Sequence, residues 1–247
     1  MRFGVSTHGH GAAATQVVVA ARLAAQAGFD TVGVAGPSAD VVASWIAATT
    51  TRVRIRAALG AAVPADPHRW ATIDALSGGR LDLAAEDPAV LAALGRAWAD
   101  STEPLLPVQS PHPPLALAGD PVRAGRHRLP LYAVVEDDRA GDLVDAYRQA
   151  WDAGRPLSGV APSGDLTIAL PVPDASAALL ASVAHLATLG VAELTWRLEP
   201  GDESRRIAAL AAHLPVLRAE AERRHPSVSG GPAGATPPFP LPDRSLR

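Results

Sequence analysis

Two apolar rhythms alternate along the chain. Short extended runs with apolar residues at every position or every second position give way to longer stretches where they return every third or fourth residue. Phe3 and Val5 open an extended run over Arg2–Thr7, and Val17, Val18, Ala21, Leu23 and Ala24 then recur at helical spacing within Ala12–Ala27. The same reading predicts strands at Thr31–Val34, Val53–Leu59, Arg80–Ala84, Leu115–Ala118, Leu129–Val135, Asp165–Leu170 and Ala192–Arg197. Helices are expected at Val41–Thr50, in the segment ending at Leu76, at Pro88–Trp98, as a short turn over Val122–His127, and at Asp138–Ala153, Ala175–Leu189 and Ser204–Arg224. Ser38 is placed as a helix N-cap, and Ser77-Gly78-Gly79 as a helix exit in which glycine takes the left-handed conformation. The proline-rich stretch Ser101–Pro114 is a connector within the domain, because the alternation resumes directly after it.

Strict strand–helix alternation implies parallel strands with right-handed crossovers. Eight such units in 247 residues fit an α/β fold of the (β/α)8 TIM-like barrel type, trimmed in length, with an open doubly wound sheet as the alternative. Residues 1–224 form a single domain in this reading. Residues 225–247, rich in Pro and Gly and without periodicity, read as a flexible tail.

Composition narrows the possible partners. The net charge of −3, with signs interspersed, points to no nucleic-acid or anionic-membrane partner. The absence of cysteine excludes disulfides, thiolate metal sites and a cysteine nucleophile. With no signal-peptide pattern at Met1 and no apolar run long enough to span a bilayer, the expectation is a cytoplasmic protein.

In a barrel the site lies at the C-terminal ends of the strands. That rule selects Thr7, His8 and His10 after the first strand, Gly36 after the second and Gly60 after the third. It adds Glu86 and Asp87 after the fourth, Asp120 and Arg123 after the fifth, Glu136 after the sixth, and Trp196 and Arg197 at the eighth. Arg80, at the opposite end of its strand, is assigned to folding. His8-Gly9-His10 is the most chemical-looking feature, since residues two apart in an extended strand face the same way. His8, His10, Glu86 and Asp87 are therefore the candidate acid/base residues, against a reading of the histidines as turn residues without a catalytic role. A His-x-His pair at a first barrel strand also opens many metal-dependent hydrolases. The further ligands those enzymes need are missing at the later strand ends, and no metal site is assigned. Trp45, Trp70, Trp98 and Trp151 fall in helices and are expected to pack.

An ordered set of short segments resembles the luciferase-like flavin-dependent oxidoreductase and monooxygenase family, which includes bacterial luciferase and deazaflavin-dependent reductases. The segments are Gly28-Phe29-Asp30-Thr31-Val32, Thr50-Thr51-Arg52-Val53-Arg54-Ile55, Ala71-Thr72-Ile73-Asp74 through Gly79-Arg80, Gln109 with Pro111-His112-Pro113-Pro114, Tyr147-Arg148, and Leu189-Gly190-Val191. The resemblance implies a (β/α)8 barrel using reduced FMN or a deazaflavin (F420) on a small organic substrate, in the manner of secondary metabolism. Gly36, Gly60, Gly119, Arg123 and Trp196 would then contact the cofactor. It also implies a homodimer through the second and third helices, for which Val41, Val42, Trp45, Ile46, Ala48, Trp70 and Ile73 supply apolar surface and Ala43, Ala47 and Ala71 close approach. The chain departs from the family pattern after the second strand, where Ala35-Gly36-Pro37-Ser38 replaces an Asp-His pair, and after the fifth, where Asp120 replaces a serine. These departures keep open a flavin-free relative that performs non-redox acid/base chemistry or serves as a binding protein.

Overall fold

The structure, a computed structural model, describes residues 1–8, 14–60, 65–100, 106–173 and 175–224. The eight strands are β1 (Arg2–His8), β2 (Thr31–Ala35), β3 (Arg54–Leu59), β4 (Leu81–Ala85), β5 (Leu115–Ala118), β6 (Leu131–Val134), β7 (Leu166–Pro171) and β8 (Glu193–Leu198). They form a closed parallel barrel in sequence order, with β8 pairing back onto β1 from Arg2↔Glu193 to Thr7↔Leu198. Closure rules out the open sheet. The helices are α1 (Ala14–Ala27), α2 (Ala39–Thr49), α3 (Pro67–Ser77), α4 (Pro88–Ala99), α5 (Pro121–Arg126), α6 (Ala140–Asp152), α7 (Ser176–Thr188) and α8 (Glu203–Arg224).

Each helix seals one strand against water. Phe3, Val5, Val32, Val34, Ile55, Ala57, Leu81, Leu83, Leu115, Leu117, Leu131, Ile168, Leu194 and Trp196 face outward into the helix layer and are buried there. The core is thus the annulus between barrel and helices. The alternate residues point into the barrel, as a side-chain period of two requires.

Local chemistry explains the boundaries. Helix α3 begins at Pro67, whose fixed φ suits a first turn, and the Asp66 carboxylate accepts from the backbone N–H of His68 and Arg69. It ends at Gly78, which takes the left-handed conformation at φ 67°, as the sequence predicts. Ser38 does occupy the N-cap position of α2, but its side chain makes no capping bond. The expected sixth helix is divided: a 3-10 turn, Asp137–Arg139, precedes α6.

Arg80 serves folding, as its place in the sequence implies. Its guanidinium donates to the backbone carbonyls of Ala47, Thr50, Val53 and Ser77 and to the Thr50 hydroxyl, pinning the α2–β3 connection to the α3–β4 connection. Of the helical tryptophans, Trp70 and Trp98 are buried and Trp151 packs against Tyr147, while Trp45 stands 43% exposed. The expected tail, residues 225–247, lies outside the described residues. No helix among the described residues is long and apolar enough to cross a membrane.

Candidate active site

A cavity of about 380 Å³ sits at the C-terminal ends of the strands and reaches down into the barrel. It exists because the inward positions there are small. A TIM barrel is ordinarily filled by branched side chains; here Gly33, Ala35, Ala58, Ala84 and Ala118 supply the wall instead. At Gly33 even a methyl group would be too large, since a Cβ would stand 2.8 Å from that of Ser6. Val134 and the turn residues Gly36, Gly60 and Gly119 complete the mouth, with Glu86 at its rim.

The floor is polar. Ser6, Arg56 and Tyr132 come up from β1, β3 and β6. The Arg56 guanidinium lies 5.4 Å from the centre of the Tyr132 ring. Beneath it is a plug of charge: Arg56 Nη1 donates to Glu193 Oε1 at 2.6 Å, Nη2 approaches Asp82 at 3.6 Å, Arg2 Nε lies 3.3 Å from Glu193, and Arg54 pairs with Asp82. Thr31 and Thr195 also donate to Glu193. Burial works against the Arg56 charge, but Glu193 and Asp82 hold its proton more firmly than an exposed arginine's. Burial likewise raises the Glu193 carboxyl, yet Arg56 and Arg2 prevail and leave it below the ordinary value of 4.5. The Tyr132 phenol is pushed up by burial, against the opposing influence of Arg56 and the Ser6 hydroxyl, and stays protonated at neutral pH. The Ser6 hydroxyl faces Tyr132 and is shut away from water.

The structure gathers some of the sequence-selected residues and disperses others. Gly36, Gly60, Glu86 and Gly119 line the cavity. Asp87 and Arg123 stand outside it, exposed at the rim and 3.5 Å from each other. Asp87 caps α4 by accepting from Ala89 N–H, and Asp120 caps α5 by accepting from Arg123 N–H. Trp196 does not reach the mouth: it faces the helix layer, stacked on Phe3 at 5.6 Å with Phe29 edge-on at 6.4 Å. A cofactor contact at Trp196 is therefore corrected to a packing role. His8 ends β1, its backbone paired with Ala35; its side chain and the whole of His10 lie outside the described residues. Among the described residues no group of His, Asp or Glu is arranged to hold a metal ion. Sequence reasoning missed Ser6, Arg56 and Tyr132. The available signal was the alternation Arg52, Arg54, Arg56, an arginine at every second position running into a strand that must be buried.

The chain matches no family model, and no curated protein is similar to it in sequence. Among solved structures it is similar to an F420-dependent secondary alcohol dehydrogenase in complex with an F420–acetone adduct, at 13% identity and a TM-score of 0.67, covering 88% of this chain and 99% of that one. The coenzyme F420-dependent tetrahydromethanopterin reductase from Methanopyrus kandleri aligns at 12% identity and TM-score 0.61, covering 87% of this chain and 99% of the other. Apo-MsnO8 aligns at 16% identity and TM-score 0.59, covering 90% and 99%. At such identities the likeness is one of fold, and it is the fold that the sequence resemblance implied.

Proposed function

We propose that the chain is a luciferase-like oxidoreductase that binds a deazaflavin of the F420 type at the barrel mouth and acts on a small organic substrate. The observation that carries this reading is the cavity at the catalytic end of a barrel, emptied by alanine and glycine at its inward positions. Two of the structures with similar folds are F420-dependent by name, which favours the deazaflavin over FMN. The cavity suits a flat tricyclic ring: its walls are mainly apolar, and its floor is lined by Ser6, the Tyr132 phenol and Arg56. When bound, a deazaflavin supplies hydride transfer. The chain's part is to seat the ring between Ala58, Ala84 and Ala118, to keep water from its faces, and to present Glu86 as proton donor or acceptor at the rim.

A second reading, a flavin-free acid/base enzyme or binding protein, is favoured by one observation. The starts of α4 and α5, where a cofactor phosphate could approach backbone N–H groups, already hold the carboxylates of Asp87 and Asp120. Titration of the purified chain with F420 and with FMN, followed by absorbance and fluorescence, separates the two. Saturable F420 binding in the micromolar range supports the first. Absence of binding by either cofactor at millimolar concentration leaves the second.

A further inference from the structure

Arg197 stands at the mouth end of β8 and takes no part in the charge plug below. Along β8 the faces alternate: Leu194, Trp196 and Leu198 are buried toward the helix layer, whereas Glu193 and Thr195 point into the barrel, where Thr195 donates to Glu193. Arg197 continues the inward row one step nearer the mouth, paired across the sheet with Ser6 on β1 and Pro171 on β7. Its charge reaches the phenol of Tyr132, a cavity residue, and favours the ionised form of that phenol. Arg56 is neutralised by Glu193 and Asp82, but Arg197 makes no hydrogen bond and no ion pair among the described residues. The other arginines without such a partner are exposed on helices, turns and connections, where water satisfies them; Arg197 is half-buried and on a strand. The carboxylates nearest along the chain do not serve it. Glu193 is held by Arg56 and Arg2, and Glu199, exposed beyond the strand end, forms no ion pair with it. Glu86 follows β4, diametrically opposite β8 in a ring of eight strands. The mouth thus sets a free guanidinium on one side against a free carboxylate on the other. A guanidinium offers N–H donors in a planar fork that matches the two oxygens of a carboxylate.

We propose that Arg197 is a specificity-determining residue of the barrel mouth, where it binds the carboxylate of a small organic acid substrate and orients the rest of that molecule across the cavity toward Glu86. A carboxylate fits better than a phosphate dianion, because a single guanidinium is available: Arg56 is neutralised below, and Arg123 faces Asp87 at the rim. The inference deepens the reading of the mouth as a ligand site and rests on it; it names the charge of the substrate and does not depend on which cofactor enters.

The test uses benzoate and its neutral isostere benzamide, titrated into the full chain by calorimetry, first alone and then with saturating F420. Wild type should bind benzoate at least about tenfold more tightly than benzamide. Arg197→Met should erase that preference. Because the guanidinium has no partner to lose, the melting temperature of the variant should stay within about 2 °C of wild type. Equal affinity for benzoate and benzamide in wild type, no binding of either, or a preference that survives in Arg197→Met overturns the proposal. An Arg197→Met chain that loses affinity for F420 together with the benzoate preference assigns the guanidinium to an anion of the cofactor, and overturns the substrate assignment as well. F420 binding with no preference for benzoate defeats this inference alone. An Arg197-dependent benzoate preference with no F420 binding defeats the cofactor reading and leaves the role of Arg197 standing.

Discussion

Arg56 and Glu193 meet across the barrel interior, with Nη1 2.6 Å from Oε1, and join β3 to β8, two strands that are not neighbours in the sheet. Both side chains are buried, so each charge depends on the other. Replacing Glu193 by Gln leaves the Arg56 charge short of a partner and should cost about 3 kcal/mol or more. The pH dependence follows from the carboxyl's position below its ordinary value of 4.5, with burial raising it and Arg56 and Arg2 overcoming that effect. A carboxyl depressed in the folded state contributes its full stability above 4.5 and loses it as pH falls through the folded value. The wild-type melting temperature should therefore decline below about pH 4.5, and Glu193→Gln should be less stable at pH 7 with a flatter acid limb. Parallel acid limbs in the two proteins would show that Glu193 is not the group being titrated.

The barrel was legible in the sequence and its interior was not, for a physical reason. Periodicity reports whether a segment is strand or helix, and eight repeats of one unit set the architecture. In a parallel barrel, however, both strand faces are buried, so the apolar pattern does not reveal which face looks inward. The strand-end rule assigns both Trp196 and Arg197 to the mouth, although consecutive strand residues face opposite ways, and the Phe3–Trp196 stack shows which one belongs to the helix layer. Arg54, Arg56, Asp82 and Glu193 each lie in a run that reads as an ordinary strand. Their significance comes from pairing between residues far apart in sequence, which a single chain does not display. Gly36, Gly60 and Glu86 line the cavity, and a topological rule, strand ends in a barrel, locates them without any knowledge of side-chain direction.

The small side chains lining the mouth make a filling experiment decisive. Ala84 is buried and lines the cavity from β4. Ala84→Leu would occupy existing space, so the change in stability should stay below about 1.5 kcal/mol. Binding of F420 should fall by tenfold or more if the ring sits there, as measured by fluorescence titration. Unchanged affinity would move the ligand out of the barrel mouth.

Arg80 offers the opposite control. Its guanidinium fork serves several backbone carbonyls at once, a geometry that lysine cannot reproduce. Arg80→Lys should lower stability by about 1.5–3 kcal/mol and leave ligand affinity at 25 °C as it was. Denaturant unfolding alongside the F420 titration checks both halves, and a loss of affinity without a loss of stability would contradict the folding role.

The His8 backbone ends β1 beside Ala35, a residue of the cavity wall. If His8 or His10 moves a proton in the reaction, His8→Ala and His10→Ala should reduce turnover by about a hundredfold, the usual contribution of a general acid or base, with melting temperature unchanged. Variants with wild-type turnover would return these histidines to the status of turn residues.

The exposed apolar residues of α2 bear on self-association, and the structure redraws the surface expected from sequence. Trp70 and Ile73 are buried within the chain, as are Ala43, Ala47 and Ala71, so none of them is free to meet a partner. Val42 and Ile46 also face inward. What remains is Val41, 60% exposed, with Trp45 one turn on, the exposed Ala48, and Leu76, 56% exposed, at the end of α3. Residues four apart share a helix face, so Val41 and Trp45 form one apolar ridge rather than two scattered contacts. A homodimer through α2 and α3 should form through this ridge, and Trp45→Glu should convert it to monomer by placing a charge in an apolar contact. Light scattering at micromolar concentration provides the measurement: wild type at twice 25.4 kDa and Trp45→Glu at 25.4 kDa support the surface. A monomeric wild type removes the dimer, and a variant that stays dimeric moves the interface elsewhere.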